Sequence, residues 1–452
     1  MMNVSLNFFL LGLGLPGLEK APIIHRIVTD SRQVQPGDLF VPLKGEYFDG
    51  HDFLEQAWSQ GASAVLTEHS PALERCEIQV LNTQETLFQL AHLWREHCQS
   101  TVIAVTGSNG KTTLKEMINA ILIREALRND WDPQKVLLVT EGNLNNHVGV
   151  PLTLFRMRPQ HRWVCVEMGM NHAGEIRKLS QCAQPDIAVI NTVQRAHVGF
   201  FDGIIGVARA KAEIYVGLKA DGIAIYPLET PFEAIFQHEI QGRSVCTVGF
   251  TEQAMVSGQD VNGALRVRTA KEEVVFSLSV RGRHNQHNAL MACAVAYSLG
   301  ISLTEAGQAL AEFQGVAGRL QQKISVQGHQ VLDDTYNGNP DSVRAAMDVL
   351  AELSGERVFI LGDLGELGSE SMACHRELGE YAKSIGIEHL WTVGEDSQQA
   401  QQAFGTGGRH CQDKNELMNA LATWVRPRMV FLVKGSRFMQ MEQIVEELVT
   451  CY

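Results

Sequence analysis

The chain has 452 residues, about three times the ~150 residues of an average domain, so we expect two or three domains. Hydrophobic residues make up 45% and charged residues 20%, which is typical of a globular protein and excludes a disordered or fibrous one. The 38 Lys and Arg against 51 Asp and Glu leave a net charge of −13, without a basic run. Such a charge disfavours a nucleic-acid partner, and we expect none.

The cysteines and the amino-terminal segment bear on the cellular compartment. Nine cysteines are scattered singly, without a CxxC pair, which favours free thiols in a reducing cytosol. The apolar decamer Leu6 to Leu15 lacks a preceding basic segment and is shorter than the ~20 residues of a membrane span. We therefore expect a buried helix or strand there, a cytoplasmic location and no stable membrane insertion.

Apolar runs alternate with helix-like stretches along the whole chain, which predicts an α/β fold in three domains. Residues 1–97 have the rhythm of a small α/β domain. In residues 98–318 the runs KVLLVT, RWVCVEM, DIAVINT and DGIAIYP predict a doubly wound, mostly parallel sheet of P-loop type, buried on both faces. The runs QVLDDTY, RVFILGD, HLWTVG and MVFLVKGS predict a Rossmann-like domain over residues 319–452.

A phosphate loop is the strongest local signal. TGSNGKTT lies between the strand-like TVIAVT and a helix-like segment, so backbone N–H groups and a helix N-terminus can face phosphate oxygens. Val105 stands where the strict Walker pattern has glycine, and a simple tight turn is the alternative reading. We expect ATP to bind Thr106, Gly107, Ser108, Asn109, Gly110, Lys111, Thr112 and Thr113.

Several motifs together resemble the Mur ligases, whose relatives include folylpolyglutamate synthase. They are TGSNGKTT, DSRQVQPGDLFVPLKGEYFDGHDF from Asp30, GNLNNHVGVPLTL from Gly142, DDTYNGNPDS from Asp333, LGDLGELG from Leu361 and KGSRFMQME from Lys434. The resemblance covers all three predicted domains. It implies uridine-nucleotide binding in the first, ATP binding and catalysis in the second, and a ligase domain in the third.

The resemblance also implies a reaction. Family members use ATP to form an amide bond to a carboxylate through an acyl phosphate, and the motifs favour the branch that joins D-alanyl-D-alanine to UDP-MurNAc-tripeptide in peptidoglycan synthesis. Two magnesium ions and a monomeric protein are expected. The alternatives are a Mur ligase that adds one amino acid, diaminopimelate or lysine, and a non-catalytic ATP-binding sensor of muropeptides.

Site residues follow from the resemblance, position by position. The metal and catalytic candidates beside Lys111 and Thr112 are Glu167, His197 and Lys211, and the family carbamylates a lysine at the position of Lys211. The pattern alone favours a surface lysine at 211, a strand-end glutamate at 167 and a structural histidine at 197. ATP is expected at Asn288, Arg319, Asp334 and Asn337, and a helix cap is the alternative role considered for Asn285. The substrate candidates are Ser31, Arg32, Lys44, Phe48, Asp49, His51, Asn143, Asn145, Asn146, Lys434 and Ser436.

Overall fold

The computed structural model describes residues 1–45, 47–71, 75–196 and 198–451. Three main sheets with helices packed on them confirm the expected three-part α/β architecture. Within the described ranges, none of the helices combines the length and the hydropathy that a membrane span requires. Residues 98 and 318 remain our proposed domain boundaries; the first lies at the end of a helix and the second before a strand.

The first sheet has four parallel strands in chain order, and a two-stranded antiparallel ribbon precedes it. The apolar decamer forms a helix that buries Leu6, Phe9 and Leu10. The strands of this part are β1 Val4–Ser5, β2 Ile23–Ile24, β3 Arg26–Val28, β4 Asp38–Phe40, β5 Ala64–Thr67 and β6 Glu77–Gln79. The helices are α1 Leu6–Gly12, α2 Leu54–Ser59 and α3 Thr83–Cys98.

The central sheet has nine strands in the order β15-β14-β13-β12-β11-β10-β7-β9-β8, and only β14 is antiparallel to its neighbours, β13 and β15. Its strands are β7 Thr101–Thr106, β8 Leu137–Val139, β9 Trp163–Glu167, β10 Ile187–Ile190, β11 Ile223–Pro227, β12 Ser244–Gly249, β13 Val256–Val261, β14 Ala264–Arg268 and β15 Glu273–Phe276. Its helices are α4 Lys111–Arg128, α5 Pro133–Val136, α6 Gly149–Phe155, α7 Glu175–Ala183, α8 Gly203–Ala212, α9 Glu233–Ile240, α10 Arg283–Ser298 and α11 Leu303–Glu312.

The third sheet has six strands in the order β16-β17-β21-β18-β19-β20, and only β16 is antiparallel. Its strands are β16 Gln321–Ile324, β17 Gln330–Asp334, β18 Glu356–Gly362, β19 His389–Val393, β20 Gly408–Cys411 and β21 Met429–Lys434. Its helices are α12 Pro340–Ala351, α13 Ser371–Ser384, α14 Gln398–Phe404, α15 Lys414–Trp424 and α16 Glu442–Cys451.

Burial on both faces explains why the central strands read as continuous apolar runs. Successive side chains of a strand point to opposite faces. In β7, Val102 and Ala104 pack into one apolar core, while Ile103 and Val105 pack into the other. A sheet covered by helices on both sides therefore needs apolar residues at every position.

Helix α3 joins the first sheet to the central one through a shared apolar core. Trp94 is only 1% exposed, and its indole Nε1 donates to the carbonyl of Met157 at 3.1 Å. The next residue, Arg95, donates to the carbonyl of Ala183 at 2.7 Å and pairs with Asp186 at 3.1 Å. The first two sheets are thus held together by both apolar burial and hydrogen bonds.

Trp94→Ala tests this junction. Truncation of a buried aromatic side chain costs about 3–5 kcal/mol, so the urea midpoint measured by circular dichroism should fall clearly. Leu127→Ala is the control, because Leu127 is 60% exposed and surface changes stay within about 0.5 kcal/mol. A wild-type midpoint for the Trp94 variant would show that this side chain does not hold the two sheets together.

Candidate active site

The phosphate loop follows β7 and leads directly into α4, as the sequence predicts. Gly110 has a φ of 76°, and a Cβ atom there would lie 2.4 Å from Asn191 Nδ2 and 2.5 Å from Asn288 Oδ1. Both the left-handed backbone and the close packing therefore require glycine. The first-turn amides of α4 have no carbonyl partner within the helix, so they are available to an anion.

The loop is held in shape by the segment after β10. The amide of Ser108 donates to the carbonyl of Thr192 at 2.8 Å, and the amide of Asn109 donates to Thr192 Oγ1 at 3.0 Å. Asn109 Nδ2 donates to Gln194 Oε1 at 2.6 Å. This support was missed by sequence reasoning, although Thr192 follows a buried strand just as the phosphate loop does.

Cationic side chains surround the loop. Lys111 Nζ donates to the carbonyl of Gly107 at 2.8 Å, which holds the amine over the loop. Burial and the nearby Arg319 lower the pKa of Lys111, while Glu167 opposes that shift. The guanidinium of Arg319 lies 3.9 Å from the ring centroid of Tyr336, and among the described residues its buried Nε has no hydrogen-bond partner. An anion entering here would meet the cations Lys111 and Arg319, and it could accept from the buried Arg319 Nε.

Two oxygen-bearing side chains lie side by side at the entrance to α4. Thr112 Oγ1 donates to Glu167 Oε2 at 3.0 Å, and Asn145 Nδ2 donates to Glu167 Oε1 at 2.8 Å. Glu167 ends β9 and is only 2% exposed, so it is not the solvated strand-end glutamate of the alternative reading. Hydroxyl and carboxylate oxygens are the ligands that Mg²⁺ prefers. The donor set of Thr112 and Glu167 therefore fits a magnesium ion.

Lys211 is buried in α8, with only 2% of the residue exposed, so it is not a surface lysine. Among the described residues, its Nζ has no hydrogen bond or ion pair. Burial lowers the pKa of Lys211 well below 10.5, and the charge of Lys111 adds to this shift. An uncharged amine is the form that reacts with CO₂, so the environment is compatible with the carbamate that the resemblance implies. His197, the remaining metal candidate, lies outside the described residues.

The third sheet contributes a buried ion pair to the same cavity. Lys434 Nζ donates to Asp334 Oδ2 at 2.6 Å and to the carbonyl of Asn337 at 2.9 Å. Asp333 points to the other side and pairs with Lys323 at 2.8 Å, as the alternation along β17 predicts. Ser436 is buried and does not line the cavity, and its Oγ accepts from the amide of Gly365 at 2.8 Å.

A chain of buried amides lies on the far side of the phosphate loop. Asn191 Nδ2 donates to the carbonyl of Asn109 at 2.9 Å and to Asn288 Oδ1 at 2.8 Å. Asn285 is inside α10, not its cap; the cap is Gly282, and Asn285 Nδ2 instead donates to the carbonyl of Arg281 at 2.7 Å. The alternative capping role is therefore wrong, because the helix begins three residues earlier than expected.

One cavity of about 970 Å³ collects most of the predicted site. Thr106, Gly107 and Asn146 are not among its lining residues, and Asn146 Oδ1 accepts from the amides of Val148 and Gly149 where α6 begins. The predicted residues that line the cavity are Ser108, Asn109, Gly110, Lys111, Thr112, Thr113, Asn143, Asn145, Glu167, Lys211, Asn288, Arg319, Asp334, Asn337 and Lys434. Lining residues that sequence reasoning missed include Asn191, Thr192, Gln194, Phe250, Arg283 and Tyr336.

The candidates of the first sheet do not line this cavity. Arg32 and Phe48 are exposed, and Lys44 pairs with Glu68 at 2.7 Å. His51 is buried between Asp49, at 2.6 Å, and the amide of Glu68, at 3.2 Å, and Ser31 Oγ donates to Gln56 at 2.7 Å. These residues therefore lie outside the cavity, and their role in binding the substrate stays a prediction.

The phosphate loop, the cations beside it and the oxygen ligands at the edge of a parallel sheet define an ATP-dependent α/β enzyme. Comparison with known proteins narrows this class. Family models described as Mur ligase family catalytic domain, Mur ligase middle domain and Mur ligase glutamate ligase domain match residues 23–110, 105–296 and 318–437. The chain belongs to the Mur ligase family.

Individual relatives match nearly the whole chain. The UDP-N-acetylmuramoyl-tripeptide--D-alanyl-D-alanine ligase of Escherichia coli (strain K12) is 38% identical over 435 residues, which cover 94% of each chain. A crystal structure of MurF from Acinetobacter baumannii has a TM-score of 0.89 and 34% identity, covering 99% of this chain and 98% of that one. MurF ligase from Thermotoga maritima in complex with ADP has a TM-score of 0.83 and 26% identity, covering 94% and 97%.

The lowered pKa of Lys211 predicts that the wild type and a variant without this amine differ in stability by an amount that depends on pH. The unfolded lysine keeps its proton up to pH 10.5, whereas the folded amine loses it at lower pH. Between the pKa of the folded amine and pH 10.5, unfolding therefore takes up a proton. The free energy of unfolding rises with pH in this range. Without ligands and CO₂, Lys211→Met should raise the thermal midpoint at pH 7, and its advantage should shrink toward pH 10.5.

Lys135→Met is the control for this measurement, because Lys135 is 73% exposed. Its midpoint should follow the wild type at every pH. Equal midpoints for the wild type and the Lys211 variant throughout the range would contradict the burial of an uncompensated amine.

Proposed function

We propose that this protein joins D-alanyl-D-alanine to UDP-MurNAc-tripeptide with ATP, giving UDP-MurNAc-pentapeptide, ADP and phosphate in peptidoglycan synthesis. The observation that carries the proposal is the shared cavity of the central and third sheets. In it the phosphate loop, the buried Lys211 and the Asp334–Lys434 pair face one space. The names of relatives that match 94% of the chain support the choice of substrates.

The chemistry explains why cations lie beside the phosphate loop. A carboxylate resists attack by an amine, because an oxide ion is a poor leaving group. Transfer of the γ-phosphoryl group turns the carboxylate into an acyl phosphate, and phosphate then leaves when the amine attacks. A triphosphate and a carboxylate repel each other, so positive charge must bring them together.

The chain's own residues divide this work. Lys111 and the first turn of α4 bind the phosphates, and Arg319 supplies charge from the side of the third sheet. The buried amides of Asn191 and Asn288 support the loop from below. Asp334 holds Lys434 beside the reacting groups, and the third sheet excludes water that would hydrolyse the acyl phosphate.

Magnesium belongs to the proposal as well. Thr112 and Glu167 would hold one ion, and Lys211, once carbamylated, would supply an oxygen ligand for a second. Bound magnesium would neutralise phosphate charge and polarise the phosphoryl group. Asn145 fixes the Glu167 carboxylate through its amide, so the ligand is already oriented.

We also propose a monomer that works in the cytoplasm. A single chain supplies both walls of the cavity. All nine cysteines are free thiols, and seven of them are buried, as suits a reducing compartment.

Phosphate release measured with each acceptor in turn tests the proposal. Release should require UDP-MurNAc-tripeptide, ATP and D-alanyl-D-alanine together. Lys111→Ala should lower the rate about 10²–10³-fold, because it removes a cation that stabilises the transferring phosphoryl group. Lys135→Ala, at an exposed position, should leave the rate unchanged.

Two outcomes would contradict the proposal. Release with diaminopimelate or lysine instead of the dipeptide would indicate a ligase that adds one amino acid. Binding of ATP without any release, with all reactants present, would indicate the non-catalytic sensor.

A further inference from the structure

The segment after β10 has a second face, which meets the third sheet. Arg195 is the residue after Gln194, whose side chain accepts from the phosphate loop. The backbone amide of Arg195 donates to Asp341 Oδ2 at 2.7 Å. Its guanidinium donates to Asp341 Oδ1 through Nε at 3.1 Å and through Nη2 at 2.9 Å.

The same guanidinium also bridges to a second helix. Arg195 Nη1 donates to Glu377 Oε2 at 3.0 Å, and Nη2 lies 3.4 Å from Glu377 Oε1. Asp341 is in the first turn of α12, and Glu377 is in α13. One arginine of the central part thus binds two carboxylates of the third part in forked geometry, the arrangement for which arginine is best suited.

A pair of amides lies beside this ion pair. Asn339 Nδ2 donates to Asn109 Oδ1 at 2.7 Å, and Asn109 Nδ2 lies 3.2 Å from Asn339 Oδ1. Asn109 belongs to the phosphate loop, and Asn339 is the cap of α12. The start of α12 is therefore bound both to the loop and to the segment that supports the loop.

These polar contacts lie between the central and third sheets, which do not share an apolar core. Among the described residues, no apolar core cluster contains side chains from both the central and the third sheet, whereas the first and central sheets share one. Arg195 is the only cation of the described residues within ion-pair distance of Asp341. The position of the third sheet thus depends on a few hydrogen bonds and ion pairs.

We propose that Arg195 is a positioning residue, which clamps the start of α12 against the phosphate loop. The loop that leads into α12 contains Asn337, whose carbonyl accepts from Lys434, and it follows Asp334 at the end of β17. The clamp of Arg195, Asp341 and Glu377 therefore sets where the Asp334–Lys434 pair lies relative to bound phosphates. The kinetic consequence rests on the proposed ligase function, but the clamp itself does not.

Hydrogen exchange of the full-length, ligand-free chain tests the clamp. The amide of Gly199, which lies 3.4 Å from the carbonyl of Glu366 in the third part, reports opening. Loss of two partly exposed ion pairs shifts an equilibrium roughly three- to tenfold, so Arg195→Ala should speed exchange there by about that factor. Asp341→Asn removes only one of the two pairs and should speed exchange by a smaller factor, and Arg195→Lys should also have an intermediate effect because it keeps charge without the fork.

Arg344→Ala is the matched control. Arg344 pairs with the same Glu377 at 2.9 Å, but it lies in α12 and does not cross to the central sheet. Exchange at Gly199 should stay at the wild-type rate in this variant. Amides of β7 should keep wild-type protection in every variant, which shows that the fold is intact.

Turnover supplies a readout that a merely structural role would not change. Arg195→Ala should lower kcat about three- to tenfold and leave the KM for the uridine nucleotide within twofold, since that substrate is expected on the first sheet. The clamp would be overturned if Arg195→Ala kept the wild-type exchange rate at Gly199 and the wild-type kcat. It would also be overturned if Arg344→Ala accelerated that exchange as much as Arg195→Ala does. If the wild-type protein did not turn over the proposed substrates, the ligase proposal would be refuted. The exchange rates at Gly199 would still show whether Arg195 forms the clamp.

Discussion

Positive charge kept away from water is the constraint on which the rest of this structure depends. Lys111 and Arg319 meet in one cavity of a chain whose net charge is −13. The chain as a whole does not attract phosphate over long distances, so the cations must be concentrated at the site. Burial of these groups without full compensation costs stability, and an anionic ligand relieves that cost. The glycine at 110 and the amides of Asn191 and Asn288 hold the loop where those charges converge.

The three sheets are joined by two different kinds of interface. Trp94 and its neighbours bury an apolar core between the first and central sheets, so these two move together. The third sheet is bound through Arg195, Asn339 and a few further polar groups, which water can replace at little cost. An enzyme that must admit a large substrate and then exclude water needs one rigid and one adjustable junction. The distribution of apolar residues thus fits a cycle of opening and closing.

Structure that depends on neighbouring residues was predictable from the sequence, whereas contacts between residues far apart in the chain were not. The strand, loop and helix around Thr106 to Thr113 follow from glycine content and hydrophobic pattern, and alternation along β17 separates Asp334 from Asp333. The burial of Lys211 was not predictable from its helix, since its own segment does not show which helices cover it. Arg195 and Asp341 are 146 residues apart, so no local pattern links them. The antiparallel pairing of β14 with β13 and β15 and the true start of α10 at Arg283 were also missed.

Oxygen tracing shows whether this protein activates a carboxylate by phosphorylation. UDP-MurNAc-tripeptide carrying ¹⁸O at both oxygens of its terminal carboxylate would be converted with ATP and D-alanyl-D-alanine, and the released phosphate would be analysed by mass spectrometry. An acyl phosphate keeps one carboxylate oxygen on phosphorus when the amine displaces it. We therefore expect one ¹⁸O atom in each phosphate formed. Phosphate that contains no ¹⁸O, released while the amide product forms, would contradict this mechanism.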